Sequence, residues 1–100
     1  SVAKSWKGSA PVSDIIPASE CGRGPWQLDL TLNGTTRQSD STASMERSVE
    51  SLVSTVASIF SLRRGDCIFT GTPSGVGPVR SGDVLAASLN GNELLQISCQ

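Results

Sequence analysis

The hydrophobic pattern along this chain changes period twice. Residues 26–32, Trp-Gln-Leu-Asp-Leu-Thr-Leu, alternate strictly, so Trp26, Leu28, Leu30 and Leu32 share one face of a strand. Asn33-Gly34 follows. That dipeptide tolerates positive φ at both central turn positions and predicts a tight hairpin with a return strand over Thr35–Gln38. A polar connection fills 39–44. From Met45 the spacing becomes helical: Met45, Val49, Leu52, Val53, Val56, Ile59 and Phe60 build one apolar stripe. This predicts one main helix over about 45–61, its stripe serving as core or interface. Two starts compete. Ser44 could cap it with Glu46 in the first turn, or Ser48 with Glu50 behind it.

Beyond the helix the pattern returns to strands. Gly65-Asp66 turns into a short buried strand, Cys67–Thr70, and a glycine-rich loop runs from Gly71 to Pro78. Ser81-Gly82-Asp83 turns into a strand at Val84–Leu89. Asn90-Gly91-Asn92 is a second hairpin signal, and Glu93–Ser98 is the last strand. Arg64-Gly65-Asp66 and Ser81-Gly82-Asp83 read as the same turn chemistry used twice. Residues 13–26, with Pro17, Gly22, Gly24 and Pro25, read as loop, with a short strand at Ile15-Ile16. The expected class is α+β, mostly β, with one main helix.

Composition narrows the function. The chain of 100 residues is 37% hydrophobic and 17% charged, with a formal net charge of −1, which fits one folded domain or part of one. There is no basic patch, and two Trp and two Phe are the only aromatics, so nucleic-acid binding is not expected. No apolar run reaches membrane-spanning length and no signal peptide is visible, so neither membrane insertion nor secretion is expected. Cys21, Cys67 and Cys99 are odd in number and widely spaced, which fits reduced thiols in a reducing compartment. The absence of histidine removes the commonest general base and metal ligand. The chain starts at Ser1 without a polar lead-in and reads as beginning mid-domain.

The chemistry concentrates in Gly71-Thr72-Pro73-Ser74-Gly75-Val76-Gly77. Such a loop presents N–H groups and hydroxyls from a fixed scaffold and suits a small anion. Thr-Pro and Gly-x-Gly are also ordinary turn formers. The loop is not a phosphate-binding loop, because no Gly-Lys-Ser/Thr follows. Arg64-Gly65-Asp66 is more simply a helix exit than an adhesion motif. Asn33-Gly34-Thr35 fits a glycosylation sequon but is expected unmodified without a secretory signal.

With Ala3-Lys4-Ser5, Leu32-Asn33-Gly34, Arg37-Gln38, Thr42 to Met45, Gly65-Asp66, Thr70-Gly71-Thr72-Pro73, Gly75-Val76-Gly77-Pro78 and Gly82-Asp83 in this order, the chain resembles the C-terminal part of the fumarylacetoacetate hydrolase catalytic domain. It looks most like the short acylpyruvate hydrolase and oxaloacetate decarboxylase-type members. The resemblance implies a mixed β-roll or sandwich of that family's type, with residues 1–100 a partial catalytic domain. It implies a metal-dependent hydrolase or decarboxylase cleaving C–C bonds of short 2-oxo or 2,4-dioxo acids. An isomerase or hydratase of aromatic catabolism, or a non-catalytic assembly unit, are the alternatives.

Residue by residue, the resemblance makes Lys4 the catalytic candidate, stabilising an enolate and delivering a proton; a surface lysine is the plainer alternative. Gly71 and Thr72 would bind the substrate carboxylate. Gln38 and Thr42 are read as structural hydrogen-bonding residues. The family's Mg²⁺ or Mn²⁺ ligands, a Glu-x-Glu pair and an Asp, lie upstream of the Ala-Lys-Ser segment. This chain has nine acidic residues but no Glu-x-Glu, so no metal ligand is assigned and no metal is expected on this chain alone. A homodimer in the cytoplasm or mitochondrial matrix, completed by the upstream half, is the implied setting. Glu46-Arg47 and Glu50 depart from the family's pattern at the start of the helix.

Overall fold

The computed structural model describes residues 7–100, and Lys4 lies outside them. A short helix, α1 (Ala18–Cys21), precedes the first hairpin, β1 (Gln27–Leu32) and β2 (Thr35–Ser41). A 3₁₀ turn (Thr42–Ser44) leads to the main helix, α2 (Val49–Ile59). The second hairpin is β3 (Val84–Leu89) and β4 (Asn92–Ser98). The four strands form one antiparallel sheet in the order β2-β1-β3-β4. The α+β class is the one expected.

The sheet has an apolar and a polar face because each strand alternates. Leu28, Leu30 and Leu32 stand opposite Leu89, Ala87 and Leu85, which continue to Leu95 and Ile97 on β4. On β2 the same face carries Gln38 opposite Leu30 and Asp40 opposite Leu28. The pairing slips by one residue after Leu30, which leaves Arg37 as the extra residue of a β-bulge.

Both hairpin turns place asparagine at positive φ, 50° at Asn33 and 51° at Asn90. Each asparagine also reaches the other hairpin. The Asn33 N–H donates to Val84 O (2.8 Å) and its Oδ1 accepts from Val84 N–H (2.9 Å). The Asn90 N–H donates to Gln27 O (2.8 Å) and its Oδ1 accepts from Gln27 N–H (2.8 Å). The central β1·β3 pair is thus clipped at both ends.

The two Gly-Asp turns do share one chemistry. Asp66 Oδ2 accepts from Arg63 N–H and Asp83 Oδ2 from Arg80 N–H, each at 2.8 Å. In return the Asp66 N–H donates to Arg63 O and the Asp83 N–H to Arg80 O. Asp83 also accepts from the Asn33 amide at 3.0 Å. The Arg80 N–H, and after it the Asn33 amide, hold the Asp83 carboxyl below its usual range. A carboxyl depressed in the folded state stabilises the fold above its unfolded pKa. That contribution is lost as pH falls through the folded value. Asp83→Asn is therefore expected to flatten the acid side of the stability profile, read as denaturation midpoints between about pH 2 and 5. Parallel loss in both proteins would remove Asp83 as a source of that dependence.

Four elements differ from the sequence reading. β2 runs on to Ser41 rather than ending at Gln38, because Ser39, Asp40 and Ser41 continue the pairing with Asp29, Leu28 and Gln27. Cys67–Thr70 forms no strand: its backbone is unpaired, and Phe69 is 79% exposed rather than buried. The β-branched and aromatic run is strand-competent, but among the described residues no strand edge pairs with it. Ile15-Ile16 is likewise unpaired, with Ile15 92% exposed, and the regular element nearby is α1. The helix spans Val49–Ile59 rather than 45–61. Ser48 is the cap that forms, its side chain accepting from Ser51 N–H at 3.0 Å, so Met45–Arg47 stay outside as a bend.

No described residue is fully buried. The chain exposes 8035 Å². A compact monomer of its mass would expose about 5,400 Å². The apolar sheet face and the α2 stripe are half covered within this chain. Phe60, at the end of the stripe, is 65% exposed.

Candidate active site

The glycine-rich loop docks on the bulge of β2. Gly75 has a φ of 107°, which side chains rarely adopt, and a Cβ there would collide with the Arg37 carbonyl oxygen. Two residues upstream the loop is clamped by one side chain. Gln38 Nε2 donates to Thr72 Oγ1 at 2.9 Å and to Pro73 O at 2.8 Å. Gln38 therefore does make the structural hydrogen bonds expected of it. So does Thr42, whose Oγ1 accepts from Trp26 N–H at 2.8 Å. Its own N–H donates to Trp26 O, which carries the β1·β2 hydrogen bonding past the end of β2.

Between this loop, the sheet and the approach to α2 lies a cavity of about 390 Å³. Thr70, Gly71, Thr72 and Pro73 form one wall. Leu28 lines it from the apolar sheet face, with Met45 and Leu52 from the helix side. Asp40, Glu46 and Arg47 bring charge to it. Among the described residues, two carboxylates against one guanidinium leave one negative charge. The guanidinium is also tied down along α2, donating to Ser51 Oγ at 3.0 Å and to Thr55 Oγ1.

The structure thus brings Gly71 and Thr72 together on one cavity wall. Gly71, at a φ of 98°, lets the chain turn beside Thr72 without a side chain. Thr70, read from sequence as a strand end, lines the same wall. Met45, read as part of a helical stripe, lines the cavity from outside the helix. Asp40, Glu46 and Arg47 were not singled out as site residues. For Asp40 the signal was available: extending the β2 alternation from Gln38 puts position 40 on the same face. Among the described residues, no group of three His, Cys, Asp or Glu side chains could hold a metal ion. The described residues therefore do not fit a divalent-metal site.

Comparison with known proteins is consistent across sequence and structure. Residues 1–97 match the family described as fumarylacetoacetate (FAA) hydrolase C-terminal. The chain is 40% identical over 94 residues to the oxaloacetate tautomerase YcgM of Escherichia coli (strain K12), covering 92% of this chain and 43% of that protein. It is 42% identical over 92 residues to the human mitochondrial oxaloacetate tautomerase FAHD1, covering 90% and 41%. A Yersinia pestis CO92 structure ascribed to the fumarylacetoacetate hydrolase family superposes with a TM-score of 0.86 at 41% identity, covering 93% of this chain and 45% of that one. Fumarylpyruvate hydrolase from Pseudomonas aeruginosa, in complex with Mn²⁺ and pyruvate, superposes with a TM-score of 0.75 at 35% identity, covering 83% and 36%. The chain thus spans under half the length of the curated relatives it matches.

Proposed function

This chain belongs to the fumarylacetoacetate hydrolase family, and from that membership we propose that the intact protein acts on a short 2-oxo or 2,4-dioxo acid through proton transfer at C3. Keto–enol interconversion of a substrate such as oxaloacetate is the first reading, because both curated relatives named above are oxaloacetate tautomerases. Hydrolytic or decarboxylating cleavage of the neighbouring C–C bond is the second. Breaking the C3–C4 bond leaves the C2–C3 enolate of pyruvate, which then takes a proton at C3, and the pyruvate-bound relative is a hydrolase.

The observation that carries the reading is the Thr72 hydroxyl on the wall of the cavity. Gln38 donates to its oxygen, so the Thr72 proton is left for a substrate carboxylate. The carboxylate held there fixes the 2-oxo acid, and Lys4 would exchange the proton at C3 and steady the enolate. A divalent ion such as the Mn²⁺ of the Pseudomonas enzyme would need ligands from beyond the described residues. The net negative charge of the described lining residues fits a site completed by added positive charge. Homodimerisation, an upstream half-domain over the apolar surface, and residence in the cytoplasm or mitochondrial matrix belong to the same proposal. No helix of the described residues is long and apolar enough to cross a membrane.

The test is turnover of oxaloacetate and of an acylpyruvate by the full-length protein supplied with Mg²⁺ or Mn²⁺. Thr72→Val should lower kcat/KM roughly 10- to 100-fold, the loss of one hydrogen bond to a charged group. Thr72→Ser should keep most of it. An unchanged kcat/KM in Thr72→Val would remove Thr72 from the site. A non-catalytic assembly unit is the competing reading, favoured by the exposed apolar surface. Absence of turnover and of metal binding in the full-length protein would establish it.

A further inference from the structure

We propose that Gln38 is a positioning residue that sets the direction of the Thr72 hydroxyl proton, and so decides whether Thr72 can donate to an anionic ligand. The inference rests on the 2-oxo acid reading above and extends it to a residue that need not touch the ligand.

The geometry leaves little choice. The Pro73 carbonyl, 2.8 Å from the Gln38 amide nitrogen, can only accept. The amide must therefore turn its NH₂ toward the loop and its oxygen away. One of the two N–H bonds serves Pro73 O, and the other meets Thr72 Oγ1 at 2.9 Å. The Thr72 oxygen is thus an acceptor, and its proton must point elsewhere. Among the described residues Thr72 Oγ1 has no other hydrogen-bond partner, and the residue lines the cavity. A hydroxyl whose lone pair is occupied by a donor is the better donor itself.

The bulge at Arg37 contributes to this. It resets the pairing of β2, placing Gln38 opposite Leu30 and Asp40 opposite Leu28 on the face that meets the loop. Asp40 lines the same cavity. Fixing the Thr72 oxygen as an acceptor from Gln38 turns its proton away from Gln38 and leaves it free to be donated.

The experiment uses full-length protein and follows pyruvate binding and turnover of oxaloacetate against pH. Gln38→Glu reverses the hydrogen-bond polarity. At neutral pH the carboxylate accepts from Thr72 and repels Pro73 O, and kcat/KM should fall roughly 10- to 100-fold, the cost of a charge-assisted hydrogen bond. Protonation restores one O–H donor, so the deficit should shrink as pH falls toward about 5, near the ordinary glutamate range. Gln38→Met keeps the length but neither donates nor accepts. It should lose less than Gln38→Glu at neutral pH, with no recovery on acidification. Recovery confined to Gln38→Glu supports the proposal. A deficit of equal size in both variants, with no pH dependence, makes Gln38 a loop brace only and overturns it. If Gln38→Glu fails to fold, a Gln38→Met protein with wild-type kcat/KM also overturns it. When Thr72→Val is impaired and the Gln38 variants are not, the positioning role fails alone. When the unsubstituted protein neither turns over oxaloacetate nor binds pyruvate, the 2-oxo acid reading fails and the positioning role with it.

Discussion

Gly75→Ala is expected to destabilise the full-length protein by about 3 kcal/mol, combining backbone strain with a steric collision. The strain comes from a φ of 107°, where an L side chain is disfavoured. The collision comes from the Arg37 carbonyl, with Gln38 Cγ also 3.0 Å from the new methyl group. Arg37 is the bulged residue of β2, bounded on both sides by ladder pairs, so its carbonyl cannot withdraw freely. The loop must lift instead, and lifting it pulls Pro73 and Thr72 from Gln38. Activity should therefore fall with stability. Gly82→Ala is the control. It has a similar φ of 91° but open space where the methyl group would sit. Denaturation midpoints of the two variants separate strain from collision. Equal losses would mean that the Gly75–Arg37 approach is not tight in solution.

On the proposed function, Lys4→Ala is expected to lower kcat by about 10²- to 10⁴-fold in the full-length protein at saturating Mg²⁺ or Mn²⁺, the usual range for loss of a general acid–base group. The effect belongs on kcat because the proposed ammonium acts on charge that develops as the C3 proton moves. The cavity sharpens this expectation. Its three charged side chains among the described residues sum to one negative charge, and its guanidinium is held by Ser51 and Thr55. Among the described residues lining the cavity, Arg47 is the one cation. Lys4→Arg should rescue little, since a guanidinium keeps its proton throughout the working pH range. Undiminished turnover of Lys4→Ala would refute the role.

What the sequence disclosed depended on how local each signal was. Both Asn-Gly hairpins were legible because positive φ is a property of two adjacent residues. Strand β3 falls on the expected residues because its run is bounded by turn chemistry at both ends. The Cys67–Thr70 run was misread because a strand needs an edge to pair with, and no propensity records whether one is present. The helix start turned on Ser44 against Ser48, a choice settled by which hydroxyl reaches an N–H three residues on. At the cavity, Gly71 and Thr72 stand out in the sequence through the resemblance carried by their own motif. Their dependence on Gln38 was not legible, because the partners are 34 residues apart and a one-residue bulge decides which face Gln38 occupies.

The two asparagine clips have a consequence for how the chain reaches its fold. Asn33 bonds to Val84 and Asp83, and Asn90 bonds to Gln27, all across the β1·β3 pair, so neither hairpin, formed alone, supplies these partners to its own turn. A β1·β3 pairing displaced by two residues would keep leucine facing leucine or alanine and would cost the apolar face little. The same displacement would carry both asparagines off their targets at once, forfeiting four hydrogen bonds. The clips therefore act as a proofreading pair. Hydrophobic contact draws the hairpins together, and the polar ends reject the near-miss that hydrophobicity alone would accept.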